Sequence, residues 1–494
     1  MPTALRPLAG TRRRAPRAER ETPGRPSALS LFVLLAATFM TALDFFIVNV
    51  ALPDVQRDLR AGTAAVQWVV AGFGLALAAG LITSGRIGDV AGRRRVFAVG
   101  LALFTAASVA CGLAPTAGTL IAARVAQGVA AALTGPQVLA ILGTAWTGKA
   151  QARAFSAYGL TMGLGAVFGQ LIGGLLIRAD LFGLDWRACF LINLPVGLVT
   201  LPLVGRTLPE SRAPRRPRLD PVGVALCTGA LVALVLPLIQ GRAQGWPAWT
   251  WVCLAGSAVL FAVFGAYQHR LTRRDGDPLV DTALLRDRPL ALGLLTQLLF
   301  WCGQASFFLV LALYLQQGRG LDALRSGLVF VTIGAGYLIT STTSHLIAAR
   351  LGRRTLPAGM LLMAAGLALT GLAAHDVATS GSVWWLGPGM FVDGVGMGMV
   401  IAPMTSAVME GVAPRLVGTA SGVVATVQQV GNALGVALIG IVFYEALGTG
   451  RPDAYPHAFG LAIAALTGLE TLLAVAYAAM ATRRERTPAV ARTA

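Results

Sequence analysis

The chain has 494 residues, of which 55% are hydrophobic and 13% are charged, and its mean hydropathy is +0.69. Soluble domains average about 25% charged residues, so the composition excludes an ordinary water-exposed surface for most of the chain. The formal net charge of +18 does not indicate nucleic-acid binding, because the basic residues lie between apolar runs and not along one helical face. The five cysteines form no C-x-x-C pair and no cluster with histidine, so neither a disulfide framework nor a metal site is expected. The composition predicts a membrane protein.

Apolar windows of membrane-spanning length divide the chain. A hydrocarbon core of about 30 Å requires roughly 18 to 25 apolar residues, and fourteen windows meet that length. The predicted spans are 29–49, 66–86, 96–114, 118–143, 156–177, 189–207, 221–241, 249–269, 291–315, 325–345, 356–374, 383–408, 416–443 and 457–481. The sequence therefore predicts an all-α integral membrane protein with fourteen transmembrane helices.

Polar breaks divide these spans into six, two and six. The breaks are TLPESRAPRRPRLDP before the middle pair and HRLTRRDGDPLVDTALLRDRP after it. The predicted organisation is a disordered basic cytoplasmic arm at 1–28, a six-helix bundle at 29–207, a linker region at 208–289 with two inserted spans, a second six-helix bundle at 290–481 and a cytoplasmic tail at 482–494. The arm is expected to be retained, because no small-residue cleavage site follows it.

Two sequence echoes indicate that the six-helix groups are repeats, as in many transporters. GRIGDVAGRR at 85–94 is echoed by HLIAARLGRR at 345–354, an offset of 260 residues. Gly165 and Gly169 recur as Gly431 and Gly435, an offset of 266. The middle pair is then an insertion between two halves.

The arginines predict the orientation. With both termini in the cytoplasm, the arm, the even-numbered loops and the tail carry 31 of the 40 Lys and Arg residues, and the odd-numbered loops carry 8. An excess of basic residues marks cytoplasmic loops. We therefore expect a multi-pass protein of the inner (plasma) membrane with both termini in the cytoplasm.

The segment GRIGDVAGRRRVF after span two resembles the signature loop of the major facilitator superfamily, and the fourteen-span layout is similar to its drug:proton antiporters. Further matches are ALDFFIVNVALPDVQ, QWVVAGFGLALAAG, RVAQG, WRACFLINLPVG and LALYLQQGRG. The resemblance covers about residues 29–481. It implies a monomeric secondary active exporter in the membrane lipid that exchanges protons for small lipophilic or cationic substrates. No Walker A pattern occurs and no cofactor is expected, so ATP is not the direct energy source.

The resemblance implies that the signature loop gates the cytoplasmic side. The gate residues are Gly85, Asp89, Gly92, Arg93 and Arg94. Such a loop would lock the two halves together in the outward-facing state. The alternative is a topology signal, in which the arginines only hold the loop inside. The second-half echo has Ala349 in place of Asp89.

Asp44 in span one and Arg124 in span four are the predicted proton-coupling residues. A charged group at the centre of a span costs at least about 2.5 to 3.5 kcal/mol unless it faces a partner or a cavity. At about 1.5 Å per residue, Asp44 lies roughly 8 Å and Arg124 roughly 9 Å below the outer end of its span, so the two can meet. In the family, the RVAQG arginine is implicated in proton relay. A static ion pair or a conformational lock would use the same residues.

Span five carries glycines at small-xxx-small spacing, which permits close helix contact. The predicted helix-packing residues are Gly165, Gly169, Gln170, Gly173 and Gly174. The sequence resembles the exporters' antiporter motif, in which a proline follows the second glycine. Here that position is Gln170, which is expected to remove a kink and to place a polar group in the helix.

Asp393 and Glu470 lie about 15 and 20 Å below the outer ends of spans twelve and fourteen, near the midplane. Either is a candidate for binding substrate or a proton. The other predicted substrate-cavity residues are Gln297, Trp301, Gln304 and Gln428, although such side chains also join helices. Trp301, Phe307 and Phe308 either line an aromatic pocket or face lipid.

Three other functions remain open from the sequence. Uptake of a small metabolite is possible because the fold does not determine the direction of transport. A membrane-embedded enzyme would need clustered carboxylates or histidines, whereas the four histidines are scattered. A receptor without transport would need a signalling domain. The leading expectation is an exporter that is not an enzyme and that carries drugs or natural products, hence an antibiotic-resistance function.

Overall fold

A computed structural model describes residues 27–212, 220–241, 244–274, 276, 278–280, 288–377, 381–409, 417–448 and 454–485. Regular structure in these ranges is helical throughout. The predicted arm lies almost wholly outside the described residues, as does most of the predicted tail.

Fourteen long helices follow one another along the described ranges. They are α1 (Ala28–Asp58), α2 (Thr63–Ala91), α3 (Arg93–Gly112), α4 (Ala117–Ala145), α5 (Gly148–Ala179), α6 (Asp185–Thr207), α7 (Pro221–Gln240), α8 (Ala248–Arg273), α9 (Arg288–Leu313), α10 (Ala323–Leu351), α11 (Thr355–Val377), α12 (Gly387–Met409), α13 (Val417–Leu447) and α14 (Tyr455–Glu485). Thirteen of the described helices are long and apolar enough to cross a membrane, and bent α5 makes fourteen if it is counted as one span. The predicted count is confirmed.

Short irregular turns adjoin three of these helices. α6 opens with a 3-10 turn and the four-residue helix Ala188–Leu191. A π-helical turn, Tyr314–Gly318, extends α9, and the 3-10 turn Val383–Leu386 precedes α12. Isolated π-helical turns are uncommon and are found often at functional sites.

α5 is bent by 43° between Arg153–Gly165 and Phe168–Ala179, although it contains no proline. The expectation that Gln170 removes the kink is therefore wrong. A Cβ atom at Gly165 would lie 2.7 Å from the Ala42 Cβ, so the glycine lets α5 press directly onto α1. Kinks without proline are found at glycine-containing positions, and the bend of α5 follows Gly165 directly.

Local sequence explains where several helices begin. Ser27 and Ser30 form a capping box at the start of α1, and Thr116 and Thr119 form another at the start of α4. These side chains satisfy backbone N–H groups that have no partner within the helix. Gly92 has a φ of 108°, a conformation that favours glycine, and it allows α2 to turn directly into α3.

The two six-helix groups pack in the same pattern. In the first, α1 packs on α5, while α2 and α3 pack on α4. In the second, α9 packs on α13, while α10 and α11 pack on α12, which repeats the same pairs eight helices later. We refer to α1–α6 and α9–α14 as the first and second half. The exact domain boundaries stay a prediction.

The halves meet along two crossings, α5 with α10 and α2 with α13. A Cβ atom at Gly174 would lie 2.5 Å from the Ala323 carbonyl oxygen, and one at Gly327 would lie 2.7 Å from the Gln170 carbonyl oxygen. The α5–α10 crossing therefore depends on backbones that approach closely at small residues. The α5–α10 and α2–α13 crossings both lie near the end of the helices where the loops after α1, α3 and α5 are found. We call this end the odd-loop end and the opposite end the even-loop end.

The inserted pair lies at the edge of this arrangement. α7 packs against α2 and α13, and α8 packs mainly on α7. Only 11% of the α8 span is buried, compared with 78% of the α9 span. The pair is thus attached to the α2–α13 crossing and otherwise faces outward.

Candidate transport and coupling site

The structure brings together the two residues predicted to couple protons to transport. Arg124 Nη1 on α4 donates to Asp44 Oδ2 on α1 across 2.5 Å. Both side chains are fully buried. A buried ion pair of this kind is strongly destabilised when one partner is removed, because the other charge is left without compensation.

Amide and hydroxyl groups complete the surroundings of Asp44. Its other carboxylate oxygen, Oδ1, accepts from Gln127 Nε2 at 2.7 Å and from Asn193 Nδ2 at 2.9 Å. Both amides also donate to the Ser108 hydroxyl, at 2.8 and 3.1 Å. These residues come from α1, α3, α4 and α6. We call Asp44, Ser108, Arg124, Gln127 and Asn193 the Asp44 network.

Arg124 also ties α2 into this network. Its Nε donates to the Val69 carbonyl oxygen at 3.0 Å, and its guanidinium carbon lies 4.3 Å from the centre of the Phe73 ring. Arg124 Nη2 has no hydrogen-bond partner within the described part of the chain. Nη2 of this arginine is therefore available to donate a further hydrogen bond.

The signature loop lies at the even-loop end. Arg93 donates to Asp89 at 2.9 Å, one helical turn away, and Gly92 forms the sharp turn between these residues. Gly85 lies in α2, in a position where an added Cβ would contact nothing within 4 Å. The Asp89–Arg93 pair is partly exposed, so its contribution to stability is small.

Glu210, just beyond α6, holds the other side of this loop. One of its carboxylate oxygens accepts from the Arg94 backbone N–H at 3.1 Å, and the other lies 3.7 Å from the Arg94 guanidinium group. Arg93 N–H donates to the Ser211 carbonyl oxygen at 3.0 Å. Among the described residues, these partners all belong to the first half or its continuation. Arg86 reaches further and donates to the Pro278 carbonyl oxygen, between α8 and α9.

Three of the predicted cavity residues are joined in the second half. Gln297 Oε1 accepts from the Trp301 indole at 2.9 Å and from Gln428 Nε2 at 3.3 Å. Gln297 Nε2 donates to the Thr405 hydroxyl at 3.3 Å. Trp301 and Gln428 are partly exposed, whereas Gln297 is buried. We call these four residues the glutamine cluster.

The other three predicted cavity residues, Gln304, Asp393 and Glu470, are not part of the glutamine cluster. All three side chains are at least nine-tenths buried. The Gln304 side-chain oxygen and all four carboxylate oxygens have no hydrogen-bond partner among the described residues. In this conformation these groups do not line an accessible cavity.

The residues singled out in span five lie at helix contacts. Gly165, Gly169 and Gly173 face α1, and Gly174 faces the start of α10. Gln170 Nε2 donates to the Phe46 carbonyl oxygen at 3.0 Å, so its polar group is used between α5 and α1.

Phe308 is buried and its ring lies 5.3 Å from that of Phe46, across the two halves. Phe307 is equally buried. The alternative in which these rings face lipid is therefore wrong.

A model of the major facilitator superfamily matches residues 34–436. The chain belongs to this superfamily. It is therefore a multi-pass membrane transporter, and membership of a transporter family argues against the membrane-embedded enzyme.

Two curated relatives cover most of this transporter. It is 41% identical over 426 residues to the "Probable actinorhodin transporter" of Streptomyces coelicolor, a match that covers 85% of this chain and 73% of that protein. It is 38% identical over 462 residues to the "Puromycin resistance protein pur8" of Streptomyces alboniger, covering 90% of this chain and 89% of that protein.

The fold is also found among solved structures. A crystal structure of a POT family transporter in complex with a thioalcohol conjugated peptide matches with a TM-score of 0.67. The match covers 93% of this chain and 98% of that chain at 16% sequence identity. At this identity the similarity shows the fold alone.

Sequence reasoning missed three members of the Asp44 network in this superfamily transporter. Gln127 lies in the RVAQG segment and Asn193 lies in WRACFLINLPVG, so a closer reading of those motifs would have found both. Ser108 has no signal beyond being a small polar residue in span three. Nothing in the sequence pointed to Glu210 either, because it lies in the polar break that is predicted to be a linker region.

The odd-loop end carries polar contacts between the two halves that the sequence did not reveal. Gln317 in the π-helical turn donates to Gln56 Oε1 at 3.2 Å and accepts from the Tyr455 hydroxyl at 3.1 Å. Arg178 on α5 lies 3.9 Å from Asp322 at the start of α10. In this conformation, the halves of the transporter are held together at the odd-loop end.

Proposed function

We propose that this protein is a secondary active exporter of natural-product antibiotics or related drugs, driven by protons that enter as the substrate leaves. The observation that carries the proposal is the buried Asp44 network, in which one carboxylate links α1 to α3, α4 and α6. A proton on Asp44 removes the charge that holds Arg124 and displaces one of the amide donors. Proton binding can thereby change how the helices of the first half are held together.

Antibiotics are the proposed substrate class because of the relatives. One is described as a probable actinorhodin transporter and another as a puromycin resistance protein. Export is the direction that confers resistance on the producing or exposed cell. Uptake of a metabolite has no observation in its favour here.

The glutamine cluster is the proposed substrate-contacting group in the second half. Trp301 and Gln428 are partly exposed, and they offer an aromatic face beside amide groups. Such a combination suits small lipophilic molecules with a few polar atoms. Asp393, Glu470 and Gln304 stay predictions for the same cavity in other conformations.

The signature loop is the proposed cytoplasmic gate. The excess of basic residues in the even-numbered loops supports a plasma-membrane protein with the even-loop end and both termini in the cytoplasm. In this conformation, the halves are joined at the odd-loop end, and the loop is held by Glu210 within the first half. Alternation would release the odd-loop contacts and bring the loop against the second half. The proposed working unit is a monomer.

Proton movement in inverted membrane vesicles tests this function. We expect actinorhodin or puromycin to cause proton movement in vesicles with the wild-type protein, and Asp44→Asn to reduce that movement to the level of vesicles without the protein. The matched control is Asp376→Asn, because Asp376 is exposed at the odd-loop end of α11 and lies outside the proposed machinery. This control should behave as the wild type does.

Two outcomes would contradict the proposal. Substrate-dependent proton movement that is unchanged in Asp44→Asn would remove Asp44 from the coupling role. An absence of proton movement for every antibiotic tested, with export still measurable from intact cells, would show that transport is not proton antiport. Greater accumulation of the antibiotic in cells that express the protein would contradict export.

A further inference from the structure

The repeat relates individual residues of the two halves. A Cβ atom at Gly128 of α4 would collide with the Phe73 carbonyl group of α2, and one at Gly394 of α12 would collide with the Ile333 carbonyl group of α10. Phe73 and Ile333 are 260 residues apart, which is also the offset between the two signature-loop segments. Gly128 and Gly394 therefore occupy equivalent positions in the two halves.

The residues that precede these glycines are Gln127 and Asp393. On α1 and α9, the Cβ position of Gly165 lies against Leu43 N and that of Gly431 against Cys302 N, an offset of 259 that relates Asp44 to Gly303. In the first half the acid lies on the first helix of the repeat and the amide on the fourth, and Gln127 donates to Asp44. In the second half the acid Asp393 takes the place of the amide on the fourth helix, and the first helix has Gly303 in the place of Asp44.

The arginine has no counterpart in the second half. Arg124 is three residues before Gln127, and the residue three before Asp393 is Met390, which is fully buried. Asp393 is fully buried too, and neither of its oxygens has a partner in the described part of the chain. The second half has therefore kept a buried carboxyl group without the cation that compensates Asp44.

A second carboxyl group lies nearby on α14. Glu470 is 1% exposed, and both of its oxygens lack partners among the described residues. Its Oε1 lies 3.3 Å from the Cβ position of Gly303, beside Gln304. Gly303 and Asp393 occupy the positions of Asp44 and Gln127, which are hydrogen-bonded in the first half, so Glu470 and Asp393 belong to one region of the second half. The unpartnered amide oxygen of Gln304 belongs to the same buried region.

No described cation compensates these acids. α9, α10, α11 and α13 pack against α12 or α14, and between their ends the described ionisable side chains are Cys302 and Tyr337, which are ordinarily neutral. The described charged or basic side chains of these helices lie within a few residues of the helix ends: Arg325, Arg350, His375, Asp376 and Glu445. On α14 itself, Tyr455 and His457 lie at the start and Tyr477 lies two turns beyond Glu470.

An ionised carboxylate buried without a partner is very costly, and a buried group in that position takes up a proton instead. We propose that Asp393 and Glu470 form a second proton-binding site, separate from Asp44, and that both carboxyl groups carry protons in this conformation. Asp393 in the place of Gln127, together with Met390 in the place of Arg124, makes the second site electrically opposite to the first. Asp44 is held as a charge and the second site is held neutral.

The role of this site in the transport cycle rests on the proposed proton-driven export. When the halves rearrange, water or substrate reaches the second half and the acids there can release protons. A transporter with two separate proton sites moves more protons per substrate than one with Asp44 alone. The second site thus adds to the driving force without taking part in the Asp44 network.

Infrared spectroscopy of the purified protein tests whether the acids are protonated. We expect Asp393→Asn and Glu470→Gln each to remove part of the carbonyl-stretch band of protonated carboxylic acids. Asp44→Asn and the exposed control Asp376→Asn should leave the band unchanged. Met390→Arg should also weaken it, because it restores the missing cation beside Asp393.

Proton counting in liposomes tests whether the site is used. We expect the double variant Asp393→Asn with Glu470→Gln to transport substrate with a lower proton-to-substrate ratio than the wild type, because neither side chain can then release a proton. A band unchanged in both single variants would overturn the proposal. So would an unchanged ratio, since the protons would then be static.

The same experiment separates this proposal from the function on which it rests. If Asp44→Asn keeps substrate-dependent proton movement and the double variant loses it, the role proposed for Asp44 fails and the second site stands. If Asp44→Asn alone abolishes coupling and the double variant keeps the wild-type ratio, the reverse holds.

Discussion

The two halves of this transporter share a backbone arrangement and differ in whether their buried carboxyl groups have hydrogen-bonding and charged partners. In the first half, Asp44 is surrounded by an arginine, two amides and a hydroxyl group. In the second half, Asp393 and Glu470 are equally buried and have no described partner. The glycines that let the helices approach are kept in both halves, at Gly128 and Gly394. Packing at small residues therefore preserves the repeat, while the residues beside them are free to take different chemical roles.

Removing the arginine should have the largest effect, because it makes the first half resemble the second. Arg124→Met leaves Asp44 buried without its cation, and loss of one partner of a buried pair costs about 3 to 5 kcal/mol. We expect a marked loss of thermal stability and of substrate-dependent proton movement. Thermal unfolding of the purified protein measures the first effect and vesicle assays measure the second.

The double variant Arg124→Met with Asp44→Asn separates charge from packing. It should recover most of the lost stability, because no uncompensated charge remains, and it should not recover proton movement. If the double variant is as unstable as Arg124→Met alone, the arginine acts through its packing against Phe73 and not through the ion pair.

The packing that the halves share should respond equally in both. Gly128→Ala and Gly394→Ala each force a Cβ atom into a carbonyl group of the neighbouring helix, and overpacking of this kind costs about 1 to 3 kcal/mol. We expect the two variants to lower thermal stability by similar amounts. Gly159→Ala is the matched control, because nothing lies within 4 Å of its Cβ position. A large effect in only one half would contradict the residue equivalence on which the second proton site depends.

The smallest effect on stability is expected at the signature loop, which differs between the halves. Glu210→Gln weakens partly exposed ion pairs with Arg94 and Arg95, and such pairs contribute about 0.2 to 1 kcal/mol. Thermal stability should change little, whereas the rate of export should fall if the loop is the cytoplasmic gate. An unchanged export rate would favour the alternative in which the loop only directs topology.

The inserted pair, α7 and α8, packs differently from the helices of either half. α8 has few buried residues and α7 contacts the crossing of α2 and α13. Asp220 caps α7 and accepts from Gln268 of α8 at 2.7 Å, so the pair is held together at the even-loop end. Gln268 Oε1 in turn accepts a hydrogen bond from the Val280 N–H at 3.2 Å. Two residues before Val280, the Pro278 carbonyl oxygen accepts a hydrogen bond from Arg86. The pair is therefore connected to the signature loop through the segment that follows α8.

Much of the fold follows from the sequence alone. The number of helices, their order and the presence of an inserted pair all come from the lengths of apolar segments, since a span must cover the hydrocarbon core. The meeting of Asp44 and Arg124 also follows, because a charge inside a span needs a partner and only one basic residue lies at a suitable depth. Helix ends were less predictable: α1 runs to Asp58, beyond the predicted limit of 49, because helices continue past the apolar region they must cross.

Other features depend on contacts between residues that are far apart in the chain. The bend in α5 comes from its packing on α1, and a proline rule applied to the sequence gave the wrong result. The partners Gln127, Ser108 and Asn193 meet at one carboxylate only because four helices converge there. The lack of a described cationic partner for Asp393 and Glu470 could not be predicted either. A sequence shows that an acid lies in a span, but it does not show whether a cation faces that acid. Apolar length and the need to compensate buried charge thus determined the architecture and one ion pair, while the identity of each side chain's neighbours was decided by tertiary packing.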